Sequence, residues 1–139
     1  MKKNILISTK ALEIGTCRTF VSAIENGAEC LFIGTVRAHT AGKNVTHLFF
    51  ECYEPMAIKE MEKIATAALD KFDITSIAIH HRIGNIDTGE IPVIIAIGSA
   101  HRNASFEACQ YAIDTLKETV PIWKKEFFDD GAVWVSAHP

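Results

Sequence analysis

Three lysines in the stretch "DTLKETVPIWKKE" (residues 114–126) are of a type and spacing that could move protons. At about 100° per residue, Phe106, Cys109, Ile113 and Leu116 form one apolar arc of a helix, and Lys117 falls inside that arc. Two readings stand side by side. In one, the stem packs on apolar atoms and the ammonium reaches water. In the other, a partly desolvated amine with a depressed pKa serves as acid, base or nucleophile toward a carbonyl. Pro121 cannot continue the helix, so Trp123-Lys124-Lys125 leaves at a new angle or starts a short turn, with Trp123 as its anchor. Consecutive residues in such a segment diverge, which lets one of Lys124 and Lys125 turn back toward Lys117. Two solvated lysines are the plainer alternative.

A second group of residues suits an anion. In "IGSAHRNASFEA", Asn103 is an N-cap residue type, which sets His101 and Arg102 just ahead of a helix running from about Ala104 to Glu118. A cation there opposes the helix dipole at a cost of roughly a few tenths of a kcal/mol. A bound anion would resolve the conflict, and so would a swing of Arg102 to Glu107. Arg37, beyond Gly34 at the end of an apolar strand, is either a further anion ligand or the partner of an acidic neighbour. His80 and His81 share a predicted strand and point to opposite faces, so no metal site is expected of them. No dinucleotide fingerprint, P-loop or nucleophile elbow is present.

The elements that must position these groups read as an α+β chain with no repeat, linker or internal boundary, one domain over residues 1–139. "NILIS" predicts a strand. "TCRTFVSAIENG" predicts a helix capped by Thr16 and closed by Gly27, with Cys17, Phe20, Val21 and Ile24 on one face. "AECLFIGTVR" and "VTHLFFECY" predict strands around the polar loop "AHTAGKN", with Gly34 marking a bulge or a close backbone approach. Pro55 opens a helix whose stripe is Ala57, Met61, Ile64, Ala65, Ala68 and Phe72. "ITSIAIHHRIG" and "IPVIIAIGSA" predict strands joined by the turn-rich "NIDTGE", and "AVWVSA" closes the chain after Asp130-Gly131. The sheet is expected to be mixed or antiparallel, with helices packed on it.

Bulk composition narrows the function classes. A content of 48% hydrophobic residues suits an ordinary core, and a net charge of −3 argues against a general nucleic-acid or membrane binder. Cys17, Cys30, Cys52 and Cys109 are scattered without a C-x-x-C pair, as expected of buried thiols in a reducing cytoplasm. The basic start has too few apolar residues before Lys10 for a signal peptide, and no stretch approaches membrane-spanning length.

Taken together, "GAECLFIGTVRAHTAGKNV", the long run from "HHRIGNIDTGE" to "VPIWKKE" and the closing "WVSA" resemble the large, catalytic subunit family of molybdopterin synthase. The combination of G-x-V-R, H-R-I-G, S-A-H-R, L-K and P-x-W-K-[KR]-E is specific where no single motif is. The resemblance implies an α+β sulfurtransferase that installs a dithiolene in cyclic pyranopterin monophosphate. It further implies a small ubiquitin-like carrier subunit with a C-terminal Gly-Gly thiocarboxylate, a dimer of large subunits within a heterotetramer, and no metal or redox cofactor. By motif, Lys117 and Lys124 are the implied catalytic lysines. Arg37, His101 and Arg102 are the implied substrate-anion ligands, and Thr35, Val36, Lys125 and Glu126 line the same site. Thr35 departs from the lysine common in relatives, and the charged tail of many relatives has no counterpart after Pro139.

Two other classes make different predictions. A Schiff-base lyase would trap a carbonyl substrate under borohydride and lose this in Lys117→Ala. A regulatory dimer binding a phosphorylated metabolite through Arg37 and Arg102 would keep all function in Lys117→Ala and Lys124→Ala.

Overall fold

In the computed structural model, which describes residues 2–135, the apolar runs around "IAIHH" and "VIIAIG" become the two central strands of a four-stranded sheet. The elements in chain order are β1 (Lys3–Ser8), α1 (Ile14–Val21), β2 (Ala28–Gly34), β3 (His39–Thr40), β4 (Lys43–Cys52) and α2 (Glu54–Lys71). There follow β5 (Ser76–Arg82), β6 (Gly84–Asp87), β7 (Val93–Ser99), α3 (Arg102–Thr119), β8 (Ile122–Phe128) and β9 (Gly131–Val135).

The first sheet has the order β1-β5-β7-β2, with β1 parallel to β5 and the other pairs antiparallel. Its central strands are buried along nearly their whole length because both faces are covered. Ile77, Ile79, Ile95 and Ile97 join the core with the stripes of α2 and α3, while Ala78, Ile94 and Ala96 pack against Cys17 and Val21 of α1. Each fully buried isoleucine contributes about 1.5–3 kcal/mol relative to exposure, so this sheet is a firm base for whatever its strand ends carry. The second sheet runs β3-β4-β8-β9, with β6 also paired to β4. Its tight hairpin between β3 and β4 uses Ala41 and Gly42 at φ 52° and 78°, both left-handed as a two-residue turn of this twist requires. The α+β class with a mixed sheet is as the sequence predicts.

Several local expectations are corrected. Helix α1 ends at Val21, because Ser22 is extended and the Asn26 side chain donates to the Val21 carbonyl at 2.9 Å. Ile24 is therefore fully exposed, and Thr16 lies inside the helix, donating to the Glu13 carboxylate at 3.2 Å. Helix α3 starts at Arg102, with His101 as an N-cap that makes no side-chain bond; Asn103 lies within it and donates to Glu107 at 2.9 Å. Phe106 is exposed, and the buried arc is Ser105, Ala108, Cys109, Ala112, Ile113 and Leu116. The "NIDTGE" connection is more than a turn, since it includes β6 of the second sheet. The segment after Pro121 is neither a loop nor a short turn but strand β8, on which Trp123 is exposed rather than anchoring. Ser136 and Ala137 of the last predicted strand lie outside the described residues.

Candidate active site

A cavity of about 330 Å³ opens where the two sheets meet the C-terminal end of α3, a size suited to a small-molecule ligand. Three segments bring its charged groups together. Lys117 lies in the last turn of α3, which closes when the Val120 N–H bonds to the Leu116 carbonyl at 3.1 Å. Extended Val120 and Pro121 then lead directly into β8, where Ile122 pairs with Cys52 and Lys124 with Phe50. The two-residue period of a strand points Lys124 and Glu126 into the cavity. Lys125 goes to the opposite face, with its ammonium 5.3 Å from the Phe127 ring centre and 5.4 Å from that of Trp134.

Thr35, Val36 and Arg37 form the third segment, beyond the end of β2. Gly34 permits the close approach anticipated for it, because a Cβ there would lie 2.7 Å from Val93 Cγ1. A clamp then holds the segment: the Val36 N–H donates to the Glu90 carbonyl at 3.0 Å, and the Gly89 N–H donates to the Val36 carbonyl at 2.8 Å. The Glu90 carboxylate closes its own turn by accepting from the Asp87 N–H at 2.9 Å, and it meets Arg82 Nη1 at 3.4 Å. With its amide used in this way, Val36 offers the cavity a buried side chain, and Arg37 is presented on a braced backbone.

Electrostatics in the cavity are dominated by Arg37, Lys117 and Lys124, with Glu126 as the counter-charge 3.6 Å from Lys124 Nζ. Burial, then the charges of Lys124 and Arg37, hold the Lys117 ammonium below the ordinary lysine range. Lys117 as a residue is exposed at the cavity mouth, so its desolvation is partial and the neighbouring cations matter. His81, on the cavity wall beside Phe50, is held neutral down to about pH 4, first by burial and then by the charge of Lys117. The sequence reading considered His81 only as a metal ligand. Its signal was the same two-residue period that separates it from His80 on β5.

The chain does not bring every implied ligand together. Arg102 and Lys117 are fifteen residues apart on one helix, about 22 Å at 1.5 Å per residue. His101 and Arg102 are exposed at the far end, outside the cavity lining, and Arg102 makes no ion pair among the described residues.

The model of the family described as "MoaE protein" matches residues 7–119. The chain belongs to the MoaE protein family. It is thereby of the molybdopterin synthase catalytic-subunit type, an enzyme of molybdenum-cofactor biosynthesis. A MoaE-family relative from Dictyostelium discoideum, the molybdopterin synthase catalytic subunit, is 50% identical over 92% of this chain and 82% of its own length. The crystal structure of molybdopterin synthase from Staphylococcus aureus has a TM-score of 0.90 and 38% identity, covering 94% of this chain and 95% of that one. A complex of subunits 1 and 2 of molybdopterin-converting factor from Helicobacter pylori shares the MoaE fold, with a TM-score of 0.76 and 23% identity over 96% of this chain and 89% of that one. No helix among the described residues is long and apolar enough to cross a membrane.

Proposed function

We propose that the cavity binds cyclic pyranopterin monophosphate and that Lys117 and Lys124 move the protons as sulfur passes to it from a thiocarboxylated carrier subunit. The observation that carries the reading is the convergence of Lys117, Lys124 and Arg37 on one cavity, where burial and the neighbouring charges lower the Lys117 ammonium. Thiocarboxylate attack, opening of the cyclic phosphate and loss of water each need a proton delivered or removed near neutral pH. A lysine with a depressed pKa suits that task, and a second ammonium both depresses it and stabilises developing negative charge. Arg37 is the phosphate ligand of the cavity, with Thr35, Val36 and Glu126 as its walls.

Because His101 and Arg102 lie a helix length away from Lys117, their role as substrate ligands calls for a second copy of the chain, consistent with a dimer of large subunits. Lys125, on the outer face of its strand, is not a ligand in this cavity. The carrier is a small ubiquitin-like protein whose Gly-Gly tail enters the cavity. A cytoplasmic setting suits Cys17, Cys30, Cys52 and Cys109, which are free thiols.

The test is to mix the protein with thiocarboxylated carrier and cyclic pyranopterin monophosphate and assay for the dithiolene pterin. No product with a carrier from the same source would overturn the reading. Lys117→Ala is expected chiefly to lower turnover and Arg102→Ala chiefly to weaken substrate binding. At a substrate concentration too low for either variant to turn over, mixing the two should restore about a quarter of wild-type activity if copies share sites. No recovery would confine each site to one chain.

A further inference from the structure

The cavity holds a polar group with no role in the reading above. His81 sits at the end of β5 with 5% of its surface exposed, and its ring meets Phe50 edge-on at 5.2 Å between centres. Its Nδ1 lies 2.8 Å from the Arg82 carbonyl oxygen. A carbonyl can only accept, so Nδ1 carries the proton and Nε2 keeps its lone pair. Nε2 has no protein partner among the described residues, and Arg82 Nε is the one polar side-chain atom there that is both sealed from solvent and unpartnered. His81 lines the cavity, and Nε2 is not among the atoms sealed from solvent without a partner.

The charged groups that line the cavity with this imidazole are Lys117 from α3, Lys124 and Glu126 from β8, and Arg37 from the segment after β2. The three cations only donate hydrogen bonds, and Glu126 is engaged with Lys124. A cyclic phosphodiester satisfies the cations and, carrying no O–H, has nothing to give a neutral acceptor. A fused heterocycle bearing N–H and O–H groups does.

We propose that His81 is a specificity-determining ligand of the substrate: a neutral imidazole, held as the Nδ1–H tautomer, whose Nε2 accepts a hydrogen bond from a ring N–H or hydroxyl of the pterin. This rests on the cavity being the pterin site. Burial of the ring and the nearby Lys117 charge keep the acceptor unprotonated through the physiological range.

The test is ¹⁵N NMR of the histidine rings in the full chain, with His81 assigned by its loss in His81→Gln. At pH 7 the free protein should give the Nδ1–H tautomer. Adding cyclic pyranopterin monophosphate should shift Nε2 toward the hydrogen-bonded range, whereas dimethyl phosphate, an anion without an O–H, should leave it in place. In the sulfur-transfer assay His81→Phe should raise KM for the pterin by about tenfold with the inhibition constant of dimethyl phosphate unchanged, and His81→Gln should recover part of the loss through its amide oxygen. An Nε2–H tautomer would overturn the proposal. So would pterin binding without a shift at Nε2, or a His81→Phe variant that loses dimethyl phosphate and pterin in parallel. Failure of the chain to bind the pterin at all would instead remove the functional reading beneath it.

Discussion

Two pairs of adjacent residues, His80-His81 and Lys124-Lys125, each send one member to the cavity and the other away, and the members that face away are held quite differently. His80 is enclosed between its Cys17 contact, 3.3 Å from Nδ1, and the Asn4 side-chain oxygen at Nε2, a closed set with no opening to a ligand. Burial pushes the Cys17 thiol up to about 11 and the His80 imidazole down, so the pair stays neutral and tied across α1, β1 and β5. Lys125 stacks on open aromatic rings of the outer sheet face. Residue type alone therefore says little about function in this chain. The face of the strand, and what lies across from it, decides.

The comparison can be broken most readily at the cavity. Lys117→Ala should lower turnover by about 10²–10⁴-fold with little change in KM, the usual scale for losing a positioned acid–base group. A loss confined to KM would make Lys117 a mere anchor. Lys124→Met should also slow the reaction and move the pH limb belonging to Lys117 upward, because one of the cations that lowers that ammonium is gone. Lys125→Met, on the other face, should change turnover by less than about twofold.

The histidine pair gives a stability prediction. The unfolded chain protonates His81 near 6.5, and the folded chain resists until about 4. Stability is therefore full above pH 6.5 and falls by about 3 kcal/mol as pH drops to 4, with His80 adding in the same direction. Urea unfolding of His81→Phe between pH 7 and 4 should show a flatter dependence than wild type. A parallel slope would assign the acid sensitivity elsewhere.

Smaller effects sharpen the picture. Glu90→Ala removes the carboxylate that closes the Asp87–Glu90 turn behind Val36. It should raise KM by about tenfold through misplacement of Arg37 while leaving turnover at saturation nearly intact. Cys17→Ala should cost about 1–3 kcal/mol of stability, read by thermal unfolding, with KM and turnover unchanged.

Much of this was legible in the chain. The helical arc with Lys117 at its end, the break at Pro121, the strand character of "IAIHH" and the close approach at Gly34 all follow from periodicity and residue type. What was not legible is long-range. Asn26 ends α1 by capping Val21, so Ile24 is left exposed despite its helical spacing. Residues after Pro121 pair with β4, a partner some seventy positions earlier, so a segment read as a turn is a strand. The clamp from Glu90 to Val36 joins positions with no local signal. Helix length, once the start of α3 is known to be Arg102, also separates the His101-Arg102 pair from Lys117, whereas the motifs read along the chain had grouped them.

The central claim is that burial and two neighbouring cations make the Lys117 amine easy to deprotonate. It can be measured directly by ¹³C NMR of reductively dimethylated protein, with Lys117 assigned by its loss in Lys117→Ala and titrated in wild type and Lys124→Met. The account predicts a midpoint below the other lysines that rises in Lys124→Met. A Lys117 that titrates with the surface lysines, unmoved by the loss of Lys124, would contradict it.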